Sequence, residues 1–287
     1  MKDIIQSYFK GESLKSKTSL ELITSLLDHQ ANEFDDEIII QLYMKLIFQY
    51  SLSEQKLIEL NNLKNKFLGI AAHDLRNPLS TIRGFSEMLL EGDMGELNSD
   101  QKEYLSIIQN VSNNMLKLLN DLLDISAIES GKLSLELTKS QLKPFIEDRI
   151  RLNKVIADRK NIVINEDINP TPDVLFDAIR MGQVIDNLLS NSIKFSHQGS
   201  NIYVKLSSDD KCIIIVKDEG PGISPEDQAK LFGEFQKLDA KPTGGEKSTG
   251  LGLSIVKKIV NAHNGNIRVE SVLGQGASFI VELPLST

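Results

Sequence analysis

A histidine beside a carboxylate can act as a nucleophile, and this sequence has one in Phe67-Leu-Gly-Ile-Ala-Ala-His73-Asp74-Leu-Arg76-Asn77-Pro78-Leu79. A lone histidine on a helix is ordinarily a surface or core residue; here the neighbours change the reading. Asp74 can accept a proton from one imidazole nitrogen and leave the other free to attack. Asn77 lies one helical turn beyond His73 on the same face, where an amide could orient a water. The plainer reading of Asn77 is a local cap beside the proline. Pro78 cannot donate a backbone hydrogen bond to the Asp74 carbonyl, so a kink is expected just past His73. A proline inside a helix costs about 3 kcal/mol, and a bendable helix around a reactive group would be a reason to bear it.

A second polar set lies far downstream. Gln183, Asn187, Asn191 and Lys194 recur at i, i+4, i+8 and i+11 on one expected helix face, with Val184, Ile185, Leu188, Leu189 and Ile193 on the other. Asparagine is a poor helix former, so two on one stripe point to ligand contact. Neutral amide oxygens suit Mg²⁺, and a lysine one turn on suits phosphate. Asp218-Glu-Gly220-Pro-Gly222 follows an expected strand. A carboxylate there can accept the exocyclic amine of adenine, and the glycines allow close approach; taken alone the run is also a common turn. Thr249-Gly250-Leu251-Gly252-Leu253 opens an expected helix, whose first backbone N–H groups can bind phosphate. Between these runs, Lys241–Ser248 is rich in Gly, Lys and Thr and reads as a lid.

Three regions must position these groups. Residues 1–52 suggest two or three short helices, a small input or docking module. Residues 53–134 read as two long helices: Leu60, Leu63, Phe67 and Ile70 repeat at 3-4-3. After Glu91–Gly95 the series Tyr104, Ile108, Val111, Met115, Leu118, Leu122, Ile125 repeats at 4-3-4-3-4-3. One hairpin cannot cover such seams, so a homodimer forming a four-helix bundle is expected. Residues 135–287 alternate. Strands are expected at 162–165, 201–206, 212–217, 266–271 and 277–283, and helices at 141–159, 175–196 and 249–262. Gly274-Gln275-Gly276 supplies a hairpin turn. The fold class is therefore an all-α hairpin followed by an α/β sandwich.

Composition narrows the function. The 287 residues are 40% apolar and 25% charged, with net charge −8, which argues against a nucleic-acid binder. The single cysteine, Cys212, allows no internal disulfide and fits a reducing compartment. No signal peptide is seen. The apolar run Ile38–Tyr50 is shorter than the roughly 20 residues a membrane helix needs and carries the polar stripe Gln41, Lys45, Gln49. A cytoplasmic protein without a membrane span is expected.

The five runs, in this order, resemble the sensor histidine kinases of two-component signalling, whose ATP domain belongs to the wider GHKL (Bergerat) group with gyrase, Hsp90 and MutL. The resemblance covers about residues 54–287. It comprises an H box at His73, an N box at Asn187 and Asn191, a G1 box over Asp218–Gly222, an F box at Leu231–Phe235 and a G2 box over Gly250–Leu253. It implies a dimerising hairpin phosphorylated on His73 with Asp74 assisting. It further implies that Asp218 reads adenine, Asn191 holds Mg²⁺, and Asn187 and Lys194 meet the ATP phosphates. By the same resemblance, Gly220, Gly222, Gly250, Leu251 and Gly252 are expected to line the nucleotide. Asn77 matches the family residue linked to dephosphorylation of the partner. In the related ATPases a glutamate stands at the position of Asn187; an amide cannot serve as that base, which favours transfer over hydrolysis. The G2 run usually begins with glycine where this chain has Ser248, which bears on the lid.

No receiver domain is expected after Thr287, so the expected acceptor is an aspartate of a separate response regulator, and residues 1–52 are expected to dock a separate sensor protein or set dimer geometry. His29 is isolated, and no haem, flavin or metal signature accompanies it. Two other readings compete: a dimeric scaffold or phosphatase that keeps the fold, and an ATPase-type clamp. Intact His73, Asn191, Asp218 and the glycines weigh against the first, and Asn187 with the dimerising helices against the second.

Overall fold

A computed structural model describes residues 36–130, 133–234, 236, 242, 243 and 250–285. The expectations for residues 1–35, Phe235, most of the lid including Ser248, and Thr249 lie outside the described residues. The chain divides into two units, Met1–Asn62 and Leu63–Thr287.

Helix α1 (Asp36–Glu91) is one run of 56 residues. It passes residue 53, where the sequence suggested a new region, without a break, so Ile38–Tyr50 is the start of a long helix and not a separate short one. Helical conformation also continues through Pro78. The reversal after α1 uses Gly92 and Gly95, both at positive φ (89° and 110°). Asn98 then starts α2 (Ser99–Glu129) with a capping box: its Oδ1 accepts from Gln101 N at 2.8 Å and its N–H donates to Gln101 Oε1 at 3.0 Å.

The second half of the Leu63–Thr287 unit contains β1 (Thr138–Ser140), α3 (Leu142–Asp158), β2 (Val163–Ile168), β3 (Val174–Phe176), α4 (Ala178–Phe195), β4 (Asn201–Ser208) and β5 (Lys211–Asp218). These are followed by α5 (Pro225–Gln228), α6 (Gly252–Ala262), β6 (Asn266–Ser271) and β7 (Ala277–Pro284). Five strands form one sheet in the order β2-β4-β5-β7-β6, with β2 and β4 parallel and the other neighbours antiparallel. Strands β1 and β3 form a small antiparallel pair. Both escaped the sequence reading, which ran the helix now seen as α4 back to Leu175.

Helices α3, α4 and α6 share the core with the sheet through Ile146, Leu188 and Ile255 against Val204, Ile214 and Val281, all fully buried or nearly so. Each such side chain contributes about 1.5–3 kcal/mol on burial. The two-residue period of β5 puts Cys212, Ile214, Val216 and finally Asp218 on the buried face. A strand whose buried face is otherwise apolar thus ends on a carboxylate. Burial pushes the Cys212 thiol up, as expected of an inert core cysteine.

The hairpin seams behave differently. Leu63, Phe67 and Ile70 on α1, and Tyr104, Val111 and Met115 on α2, are between 44% and 68% exposed, whereas Ile125 at the end of the series is buried. Among the described residues, no helix is long and apolar enough to cross a membrane.

Candidate nucleotide site and phospho-acceptor histidine

Three of the residues expected to hold a nucleotide, Asn191 of α4, Asp218 and Gly222, line one cavity together with Phe195 of α4, Leu253 of α6 and Phe279 of β7. Asp218 is 5% exposed. Its Oδ1 accepts from Gly220 N at 2.9 Å and from Ala277 N at 3.1 Å. Burial pushes the carboxyl up, and these two N–H groups, with the Ser192 hydroxyl, pull the other way. Both backbone bonds fall on a single oxygen, leaving acceptor capacity on a carboxylate that lines the cavity.

Two glycines make that placement possible. A Cβ on Gly222 (φ 73°) would lie 2.1 Å from Val272 O, and one on Gly276 (φ 79°) would lie 1.9 Å from Asp218 O. The β6–β7 turn is thereby pressed against the end of β5, and Gly274 N donates to Pro221 O at 2.7 Å. The sequence reading took Gly276 only as a turn residue. Its second role shows in the packing and has no local sequence signal.

The N box and G2 box meet next to this cavity. Asn187 is 7% exposed, and a Cβ on Gly252 would stand 3.3 Å from its Oδ1, so the first turn of α6 lies directly over the amide. Leu251 is buried, Gly250 has φ 71°, and α6 begins without a side-chain cap. The first turn of a helix beside a buried amide suits phosphate oxygens. Lys194 stands half-buried near the end of α4. There its carbonyl accepts from Thr243 N, and Lys160 Nζ donates to the same carbonyl. Gln183 does not share the cavity. Its Nε2 donates to Asp124 Oδ2 on α2 at 2.7 Å, while Arg180 Nη1 donates to Asp124 Oδ1 at 2.7 Å. The polar stripe read along α4 therefore divides between two partners.

Helix α4 is capped by Asp177, whose Oδ1 accepts from Ile179 N and Arg180 N and whose Oδ2 accepts from Glu136 N. Burial pushes this carboxyl up, but those three N–H groups, with His263, hold it below the usual carboxylate range. His263 is buried, with Nδ1 against Ile259 O at 2.8 Å and Nε2 accepting from Asp177 N at 3.0 Å. That pattern requires the proton on Nδ1 and makes His263 a structural residue.

His73 stands apart from this cavity. Its side chain is 70% exposed, and Nδ1 lies 3.2 Å from Asp74 Oδ1, so Nε2 is left to solvent. Asn77 is exposed one turn on, and its carbonyl accepts from Thr81 Oγ1. Arg76 donates to Asn120 Oδ1 at 2.8 Å. A second cleft is lined by Arg76 and Asn120 of the hairpin and by Asp186 and Asn187 of α4. The H box and N box thus border the same space, although no hydrogen bond joins His73 to the nucleotide cavity among the described residues.

Residues 63–131 match the His Kinase A (phospho-acceptor) domain, and residues 176–287 match the histidine kinase-, DNA gyrase B- and HSP90-like ATPase family. The chain is 34% identical over 236 residues to the circadian input-output histidine kinase CikA of Synechococcus elongatus, covering 79% of this chain and 31% of CikA. It is 32% identical over 228 residues to the sensor protein SrrB of Staphylococcus aureus, covering 78% of this chain and 39% of SrrB. The chain therefore spans well under half of these relatives. Among solved structures, full-length ShkA in complex with AMPPNP is similar with TM-score 0.65 at 27% identity, covering 77% of this chain and 46% of that one. The Acinetobacter baumannii histidine kinase AdeS is similar with TM-score 0.54 at 25% identity, covering 75% and 98%.

Fold and cavity together define an ATPase domain of the histidine kinase, gyrase B and HSP90 class, preceded by a helical phospho-acceptor hairpin. The chain belongs to the sensor histidine kinases.

Proposed function

We propose that this chain is an ATP-dependent protein-histidine kinase that phosphorylates His73 and passes the phosphoryl group to an aspartate of a separate response regulator. The observation that carries this reading is a buried carboxylate, Asp218, lining one cavity with the Asn191 amide, in a chain that also exposes a His–Asp pair. Asp218 accepts the adenine amine. Gly220 and Gly222 let the base approach the backbone, and Gly250, Leu251 and Gly252 present the start of α6 to the phosphates with Asn187 and Lys194. Asn191 would hold Mg²⁺: an amide oxygen suits an ion that binds through few protein ligands and keeps most of its shell as water and phosphate oxygen. That ion supplies charge neutralisation of the phosphates.

Transfer requires the ATP domain to reach His73. Asp74 accepts the Nδ1 proton, the Nε2 lone pair forms a bond to the γ-phosphorus, and the bond from that phosphorus to the β–γ bridging oxygen breaks, releasing ADP. Asn77, exposed on the same face, is suited to orient a water against the regulator's phosphoaspartate, so dephosphorylation of the partner is included in the proposal. The exposed seams support a homodimer with a four-helix bundle. The proposed organisation is an input or docking segment (1–52), the hairpin (53–134) and the catalytic domain (135–287), working in the cytoplasm.

The test is labelling with γ-labelled ATP and Mg²⁺. Wild type is expected to incorporate label and Asn191→Asp to incorporate none. Equal labelling of both would overturn the site assignment.

A further inference from the structure

Helix α4 is closed at its C-terminus by side chains from far along the sequence. Its C-cap, Ser196, is extended (φ −74°, ψ 146°), and its N–H returns to Ser192 O. The next residue is His197, where a glycine commonly closes a helix from within the local chain. The later carbonyls are met instead by Lys160 and Thr243. Lys160, in the turn after α3, sends its Nζ to Ile193 O at 3.1 Å, to Lys194 O at 3.3 Å and to Thr243 Oγ1 at 3.2 Å. Thr243, between the F box and the G2 box, donates its N–H to Lys194 O at 3.1 Å and its hydroxyl to Ser196 O at 2.6 Å. An ammonium carries three donors, and three acceptors stand within their reach. A cation here also complements the negative end of the helix dipole.

The anchor is itself held. Lys160 is half-buried; its N–H donates to Ala157 O at 2.9 Å, and its carbonyl accepts from Gly199 N at 3.1 Å. The helix end it grips has little slack on another side, since a Cβ on Gly220 would lie 3.1 Å from Phe195 O. Phe195 lines the nucleotide cavity, and Lys194 precedes it in the same turn. Any shift of this turn therefore moves a cavity wall and a lysine together.

We propose that Lys160 is a positioning residue for ATP: by tying the last turn of α4 to Thr243, its ammonium holds Phe195 and Lys194 where the nucleotide meets them. The inference rests on α4 being the nucleotide helix, as proposed above. Lys160 does not line the cavity, so it acts through α4 and not on the nucleotide. Its effect should fall on ATP binding and spare the phosphoryl step, whose nucleophile stands on the hairpin.

The experiment follows the initial rate of His73 labelling against ATP concentration for the full chain, with thermal melts to confirm folding. Lys160→Met keeps an apolar stem and removes the donors. It is expected to raise KM for ATP about tenfold and to leave kcat at the wild-type level. Lys160→Arg, which keeps the charge and several donors, should recover most of the loss. Thr243→Val should raise KM by itself, and adding it to Lys160→Met should cost little more, because both act through one network. Lys211→Met removes a lysine paired with Glu282 at 3.1 Å between β5 and β7 and should match wild type. A lysine that only stabilised the fold would lower the melting temperature and leave KM unchanged. A folded Lys160→Met with wild-type KM would thus overturn the inference, as would a fall in kcat alone or fully additive effects with Thr243→Val. Should Lys160→Met not fold, a folded Thr243→Val with wild-type KM overturns it equally. A wild type that binds no ATP would instead overturn the underlying reading.

Discussion

Arg180, in the first turn of α4, holds Asp124 near the end of the hairpin helix α2, with Nη1 to Oδ1 at 2.7 Å and both side chains mostly covered (27% and 18% exposed). The helix that this contact fixes also carries Asn187 and Asn191. The ion pair and the Gln183 bond to the other oxygen of Asp124 therefore tie the nucleotide helix to the hairpin. Removing it through Arg180→Ala is expected to cost about 1 kcal/mol. Amide exchange should rise in the last turns of α2 and in the first turn of α4, with the sheet unaffected. Unchanged exchange at both ends would mean that the pair does not couple the two elements.

Asp218 should trade stability for binding. Its carboxyl is pushed up chiefly by burial, so the folded chain holds that proton more tightly than the unfolded chain. The stability contribution is complete below the ordinary carboxylate range and is lost as pH rises through the raised value. Above that raised value the ionised group is a net cost. Asp218→Asn keeps an acceptor for Gly220 N and Ala277 N and removes the charge. It is expected to raise the melting temperature at pH 7 while abolishing the further rise that ATP produces; a retained ATP shift would contradict the assignment.

Two glycines of one turn separate strain from collision. Gly274 and Gly276 have nearly the same φ, 80° and 79°, but a Cβ meets nothing within 4 Å at Gly274 and comes 1.9 Å from Asp218 O at Gly276. Gly274→Ala should cost only the left-handed penalty, about 1–2 kcal/mol. Gly276→Ala should cost well beyond that and should weaken ATP binding. Urea midpoints and nucleotide titrations of both variants check the difference.

The apolar seam should set the oligomeric state. Val111 and Met115, 51% and 44% exposed, each stand to gain about 1.5–3 kcal/mol on full burial between two hairpins. Val111→Asp is expected to convert a dimer to a monomer in light scattering after size exclusion, with the ATP domain still folded. A monomeric wild type would remove the seam from the account.

Periodicity made much of this legible. The apolar run Cys212–Val216 marks a strand with a carboxylate, Asp218, directly after it, and the 4-3 spacing from Tyr104 marks the exposed seam of α2. The misses have common causes. Strand β3 is three residues long and abuts the Asp177 cap, so its apolar residues merged with the following helix. Gln183 sits on the same stripe as Asn187, and only the tertiary contact with Asp124 assigns it elsewhere. Gly276 looks like any turn glycine until β7 folds back beside β5. The continuity of α1 past residue 53 was hidden because its polar and apolar residues change phase there.

The central claim is phosphoryl transfer to His73, whose Nδ1 is engaged by Asp74 and whose Nε2 is open to solvent. Its most direct measurement is the chemical stability and location of label from γ-labelled ATP, on wild type and on His73→Gln. The account predicts an acid-labile, base-stable label that maps to the His73 peptide and is missing from the variant. Label that survives acid, or that persists undiminished on His73→Gln, would contradict it.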